Sequence, residues 1–128
     1  MPSTRIETRA GWLGDRRRDF IEAVQAALVT GILIPEGDRC VRLLEFEDDC
    51  IITSPDAGPR YTVIEISLFT GRTIEAKRRL YAAMVEKLAP FGLSANEIKV
   101  ILHEVPRENW GLRGLPGSEI ELGFKVEV

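Results

Sequence analysis

Pro2 directly follows Met1. A small second residue permits removal of an initiator methionine, which leaves a free secondary amine at the start of the chain. Such an amine is a base when neutral and an acid when protonated, and α-amino groups titrate at about pH 7.7–8.0. Burial or a nearby cation disfavours the charged form. Pro2 is therefore a candidate catalytic amine, although Met-Pro starts are common and the residue alone also suits a position with no chemical role.

Arg72 follows the strand-like segment from Tyr61 to Phe69 and precedes a helix that Thr73 can cap. Ligand crevices in open α/β sheets lie at the carboxyl ends of strands, and the planar guanidinium of arginine suits a carboxylate. Arg72 is therefore a candidate binder of an acidic substrate. The alternative is an exposed charge in front of the helix.

Two other side chains allow more than one interpretation. Trp110 lies in a Pro-Arg-Glu-Asn-Trp-Gly loop, where a large aromatic ring either closes a pocket or covers a hydrophobic flank. His103, the only histidine, alternates with apolar neighbours and is interpreted as a packed or surface residue rather than a base.

Hydrophobic periodicity predicts the elements that position these residues. The strands alternate with a period of two and the helices repeat with a period near 3.6. The predicted order is a strand around Thr4–Thr8, a helix through Phe20 and Leu28, a strand at 40–46, a strand at 61–69, a helix through Leu80 and Leu88, and a strand at 98–105.

The second half of the chain repeats the first. Overlaying the segment 34–46 on 93–105 places Val41 on Val100, Leu43 on Leu102 and Glu45 on Glu104. Two right-handed β-α-β units, spanning about 2–46 and 61–105, predict an α/β (α+β) fold in which one four-stranded mixed sheet carries both helices on one face. Residues 1–128 are expected to form a single domain.

The C-terminal residues 120–128 alternate between apolar and polar side chains, which predicts a half-buried strand. A lone terminal strand needs an edge to pair with, and a neighbouring subunit can supply one. The segment from Tyr61 to Phe69 also carries apolar residues on both sides, so the sheet face without helices is expected to be covered.

Composition excludes several classes of function. The chain has 45% hydrophobic and 29% charged residues and a net charge of −3, which gives no general attraction to nucleic acid or anionic lipid. Cys40 and Cys50 form no CxxC pair, and no histidine cluster joins them. No P-loop or GxGxxG motif is present. We therefore expect no cofactor, no metal, no nucleic acid and no membrane segment, and a cytoplasmic location.

The sequence resembles the long-chain members of the tautomerase superfamily, in particular the branch around malonate semialdehyde decarboxylase. Besides the two fused units, the resemblance is carried by five short segments: Pro2, Ala26-Ala27-Leu28-Val29, Ile34-Pro35 with Asp38-Arg39, Thr70-Gly71-Arg72-Thr73 with Lys77, and Glu104 to Trp110.

This resemblance implies roles for six residues. Pro2 would be the catalytic amine and Asp38 an active-site carboxylate, although Asp38 also suits turn hydrogen bonding. Arg72 would bind the substrate carboxylate and Trp110 would form a pocket wall. Thr70 and Leu112 would line the same site, where the decarboxylase pattern has an arginine and a phenylalanine, and these departures leave the substrate open.

The resemblance further implies a homotrimeric, MIF-like enzyme that acts on a small 2-keto or enol carboxylic acid, with hydratase or decarboxylase activity as the second choice. Neutral Pro2 would move a proton between substrate atoms while Arg72 holds the carboxylate. The alternative, from another class, is a non-catalytic ferredoxin-like module that binds small molecules or regulates a partner.

Overall fold

The computed structural model describes residues 2–126 and residue 128. Its helices and strands are β1 (Ser3–Arg9), α1 (Arg17–Ile32), β2 (Val41–Phe46), β3 (Thr62–Phe69), α2 (Ile74–Leu88), β4 (Ile98–Val105) and a small hairpin of β5 (Gly111–Leu112) and β6 (Leu115–Pro116).

The main sheet has the strand order β2-β1-β3-β4. Within each unit the two strands are parallel, with Thr4 opposite Val41 in the first and Ile64 opposite Val100 in the second. The two units meet through the antiparallel pair β1 and β3, in which Ser3 lies opposite Ser67. The prediction of a four-stranded mixed sheet built from two β-α-β units is confirmed.

Alternate residues of the two central strands point toward the helices and are buried. On β1 these include Thr4 and Ile6, and on β3 they include Ile64, Ile66 and Leu68, all 0% exposed. The helices add residues spaced three and four apart, which form one apolar stripe on each helix. The buried residues of these stripes are Phe20, Val24, Ala27, Leu28 and Ile32 on α1, and Ala76, Leu80, Ala83, Met84 and Leu88 on α2.

The other face of the sheet, which we call the open face, is more polar than predicted. The residues of β3 that alternate with the buried ones are Val63, Glu65 and Ser67, all half-buried. Both oxygens of the Glu65 carboxylate are engaged, because Oε2 accepts a hydrogen bond from Arg5 at 3.0 Å and Oε1 lies 2.8 Å from Nε2 of His103. On this face the prediction of apolar residues holds for Val63, whereas Glu65 and Ser67 make the middle of the strand polar.

The predicted C-terminal strand at 120–128 is also wrong for the single chain, because residues 120–126 and 128 carry no strand geometry. Alternation specifies two faces but supplies no partner edge. The segment instead folds back on the start of α2, with Val126 only 1% exposed and the carbonyl of Val128 accepting a hydrogen bond from Thr73 Oγ1 at 2.7 Å. Glu127 lies outside the described residues.

Neither α1 nor α2 is long and apolar enough to cross a membrane, and the same holds for every helix in the described part of the chain.

Candidate active site

Four chain segments meet at one end of the sheet. The antiparallel register that places Ser3 opposite Ser67 puts the start of β1 beside the end of β3. The parallel register of the second unit puts Phe69 opposite Val105, so β4 ends there too. The amide of Thr4 donates to the carbonyl of Cys40 at 2.9 Å, which fixes the start of β2 at the same end.

Pro2 is buried and precedes β1 by one residue. Its neighbour Ser3 accepts a hydrogen bond from Arg42 Nη1 through its hydroxyl at 2.9 Å. The chain start is thus held in the sheet by the ladder of β1 and by a cation from β2.

Asp38 is half-buried in the turn before β2. Its amide donates to the carbonyl of Pro35 at 3.0 Å, and its carbonyl accepts from Nε2 of Gln25 at 3.0 Å. The main chain of Asp38 therefore forms the turn suggested by its sequence. The position is three residues before Val41, at the sheet end that carries Pro2.

Arg72 is buried, with 6% of its surface exposed, so the alternative of an exposed charge before the helix is wrong. Its Nη1 donates to the carbonyl of Val126 at 3.2 Å. The next residue, Thr73, caps α2 by accepting a hydrogen bond from the amide of Ala76 at 3.1 Å. Thr70 is exposed, and its amide donates to the carbonyl of Val105 at 3.3 Å, which ties this loop to the end of β4.

Trp110 packs edge-on against Phe69, with 5.1 Å between the ring centroids. Its indole N–H donates to the carbonyl of Val105 at 3.1 Å. The ring therefore covers the hydrophobic flank at the end of β3, beside Thr70. Leu112 lies further along, in β5, and lines a groove of about 400 Å³ with Arg113 and the residues from Ile120 to Leu122.

Sequence reasoning missed two cations at this end of the sheet. Arg42 lies on β2 between two half-buried apolar residues and reaches Ser3. The guanidinium of Arg107 lies 5.5 Å from the ring centroid of Phe69, in a cation–π arrangement. The alternation of β2 could have indicated the direction of Arg42. Its neighbours Val41 and Leu43 face the helices, so the side chain of Arg42 points to the open face.

His103 lies within β4, two residues before the strand ends at Val105. It lies on the open face, bonded to Glu65, and half of its side chain is exposed. The interpretation of His103 as a surface residue agrees with this position. Within the described residues, no three His, Cys, Asp or Glu side chains are close enough together to hold a metal ion.

Comparison with known proteins identifies the family. A sequence model described as "Tautomerase enzyme" matches residues 38–113, which is more than half of the chain. The chain belongs to the tautomerase family. The matched region contains Asp38, Thr70, Arg72, Trp110 and Leu112, whereas Pro2 lies before it.

Individual tautomerases and their structural relatives agree with this assignment. A probable tautomerase of Ralstonia nicotianae (strain ATCC BAA-1114 / GMI1000) is 37% identical over 57 residues, which cover 44% of this chain and 81% of that protein. That tautomerase is therefore a shorter protein than the two-unit chain described here.

Two solved structures share the fold of this tautomerase over most of its length. FG41 malonate semialdehyde decarboxylase, inhibited by 3-bromopropiolate, is 31% identical with a TM-score of 0.74, and the match covers 84% of this chain and 86% of that chain. An asymmetric trimer of wild-type fused 4-OT, designated R7, is 25% identical with a TM-score of 0.79, and the match covers 91% of this chain and 96% of that chain. The predicted membership of the tautomerase superfamily is confirmed.

Proposed function

We propose that this tautomerase interconverts the enol and keto forms of a small 2-keto carboxylic acid, without a cofactor, through the amine of Pro2. One observation carries the proposal. The antiparallel pairing of β1 with β3 places the start of β1 beside the strand end that leads to Arg72. A base and a cation from opposite halves of the chain therefore serve one site.

In the proposed mechanism the neutral nitrogen of Pro2 accepts the proton of the enol hydroxyl and delivers it to a substrate carbon, which yields the ketone. The reverse order of the same two transfers regenerates the enol. One positioned base suffices because each proton that leaves the substrate returns to it. The burial of Pro2 supports this role, since burial favours the neutral form of an amine.

Arg72 would bind the substrate carboxylate. A carboxylate would replace the carbonyl of Val126 as the acceptor for Arg72 Nη1, and a charge-assisted hydrogen bond is stronger than one to a neutral carbonyl. The C-terminal segment would have to shift during this exchange. Thr70 and Trp110, which are both tied to the carbonyl of Val105, would border the same carboxylate, and Leu112 would lie further out.

Hydration or decarboxylation is the second choice of activity, and Asp38 would take part in it. If Pro2 were protonated, it would act as a general acid, and Asp38 would orient a water molecule for hydration or assist decarboxylation. A malonate semialdehyde decarboxylase is among the structural relatives, which supports this second choice at the level of the reaction class.

Assembly as a homotrimer is part of the proposal. The R7 form of fused 4-OT is an asymmetric trimer, and the match to it covers 91% of this chain. The open face is the surface that a trimer would use, because helices do not cover it, and the C-terminal segment would extend that interface. A cytoplasmic location is also proposed, since the sequence has no stretch of about 18 apolar residues.

The decisive experiment uses untagged protein. Intact mass should show a chain that begins at Pro2, and ultraviolet assays should show turnover of enolised 2-keto acids. Pro2→Ala should lower that turnover by orders of magnitude, because the secondary amine is lost. Pro35→Ala, in the exposed turn before β2, is the matched control and should retain activity. Full turnover in a verified Pro2→Ala protein would refute the catalytic role.

A further inference from the structure

A cleft lies on the outer edge of the sheet, between α1 and the edge strand β2. It has a volume of about 260 Å³ and is lined by Arg18, Ile21, Gln25, Arg39, Cys40, Val41 and Arg42. None of the six residues predicted for the active site lines it, and Arg42, which contacts Ser3, lies where the cleft adjoins the Pro2 end of the sheet. We call this feature the edge cleft.

Cations predominate among the charged side chains of the edge cleft. Arg18 and Arg39 both donate to one carboxylate oxygen of Glu22, the former at 3.4 Å. Arg42 donates to the hydroxyl of Ser3, which is neutral. Three arginines thus line the cleft, and only two of them share the carboxylate of Glu22. The excess positive charge favours an anion in the cleft.

Gln25 adds an unused acceptor to the wall of the cleft. Its side chain is 4% exposed, and its Nε2 donates to the carbonyl of Asp38 at 3.0 Å. Its Oε1 receives no hydrogen bond from any residue that the structure describes. A buried carbonyl oxygen without a donor is unfavourable, so a ligand that brings an N–H or O–H group would be stabilised there.

We propose that the edge cleft binds a small oxyanion that also carries a proton, of the hydrogen phosphate or phosphate ester class. Arg18 and Arg39 hold the charged oxygens, and the protonated oxygen donates to Gln25 Oε1. The cleft is a second site. Cys40, which lines it, contacts Ser3 at the Pro2 end of the sheet. Anion binding in the cleft does not depend on the reaction proposed for Pro2.

The two cysteines provide a reporter and its control. Cys40 is exposed and lies in the cleft, with Sγ 3.2 Å from Nη1 of Arg42. Cys50 is also exposed but lies 3.6 Å from a carboxylate oxygen of Asp49, in an acidic segment. Cys50→Ser leaves Cys40 as the sole thiol, and Cys40→Ser leaves Cys50.

The experiment measures alkylation of each single-cysteine protein by neutral iodoacetamide during titration with inorganic phosphate or sulfate at constant ionic strength. Phosphate should slow the reaction of Cys40 several-fold and saturably, because it carries a proton near neutral pH. Sulfate carries none and should protect less. Cys50 should respond to neither anion.

Variants separate the two parts of the proposal. Arg18→Ala, at a side chain that is 80% exposed, should weaken protection by phosphate without affecting folding. Gln25→Met should remove the preference for phosphate over sulfate, with circular dichroism as the check on folding. Equal protection by both anions would indicate charge screening only. Equal protection would overturn the proposal. The same holds if phosphate does not slow the alkylation of Cys40, or if iodoacetamide does not react with Cys40 in the intact assembly.

Discussion

Gly31 of α1 lies directly against Leu80 of α2. A Cβ atom placed on Gly31 would be 2.4 Å from Cα of Leu80 and 2.9 Å from its backbone nitrogen. The helices approach this closely because glycine has no side chain, and Arg79 Nε donates to the carbonyl of Gly31 at 3.1 Å. The contact joins the helix of one unit to the helix of the other.

Gly31→Ala should therefore destabilise the fold. Alanine favours a helix over glycine by up to about 1 kcal/mol, but the close contact is with backbone atoms and cannot be relieved by a rotamer change. We expect a net loss of about 1–3 kcal/mol in the free energy of unfolding, measured by urea denaturation. Gly37→Ala is the control, because no atom lies within 4 Å of a Cβ there, and it should be close to neutral.

Arg72→Ala should raise KM for the carboxylate substrate. Loss of a hydrogen bond to a charged group costs about 1.5–3 kcal/mol, and the burial of Arg72 means that the unfolding free energy should fall as well. Arg72→Lys should recover only part of the binding, because lysine lacks the planar fork. Arg78→Ala, at an exposed position of α2, is the control. An unchanged KM in folded Arg72→Ala protein would contradict substrate binding by Arg72 and would show that the residue only holds the C-terminal segment in place.

Removal of the residues after Ser118 should disrupt the proposed trimer. The cut deletes Val126, which is buried, and Phe124, which packs against the core. Sedimentation equilibrium should give about three times 14.3 kDa for the intact protein and a smaller mass for the shortened chain. Lys125→Ala, at an exposed position, should leave the mass unchanged. A monomeric intact protein would contradict the trimer itself.

Glu65→Gln should change the acid side of the stability profile. The hydrogen bond to His103, followed by the one from Arg5, lowers the pKa of Glu65 below its ordinary value of 4.5. The folded state therefore binds this proton less tightly than the unfolded state, so the contribution of Glu65 is complete above pH 4.5 and is lost as the pH falls through the folded pKa. Tm measured against pH should drop less steeply below pH 4.5 in the variant. Glu86→Gln, on the exposed side of α2, should keep the wild-type slope.

Periodicity predicted the fold because each main element buries a regular set of residues. The period-two alternation of Ile64, Ile66 and Leu68 and the helical spacing of Leu80 and Met84 both follow directly from burial on one face. The cap at Thr73 was also predicted and is present. Each of these features depends on residues that are close together in the sequence, so each could be predicted from a short segment.

The errors arose where distant segments decide the outcome. Alternation at 120–128 could not indicate that Val126 would lie against Arg72 rather than in a strand. Likewise, the position of Glu65 in an apolar segment did not reveal partners that lie on β1 and β4. The contact of Arg42 with Ser3 was missed for the same reason, because it joins residues from two strands.

The antiparallel pairing of β1 with β3 makes the two ends of the sheet chemically unequal. Pro2 precedes β1, whereas β3 is preceded by Tyr61, whose nitrogen belongs to an ordinary amide and is not basic. A duplicated unit of this kind therefore cannot duplicate the amine, and under the proposed function each chain has one reactive end. At the opposite end, the carboxylate of Glu97 instead accepts hydrogen bonds from the amides of Arg60 and Ser94 and joins the start of β3 to the segment before β4.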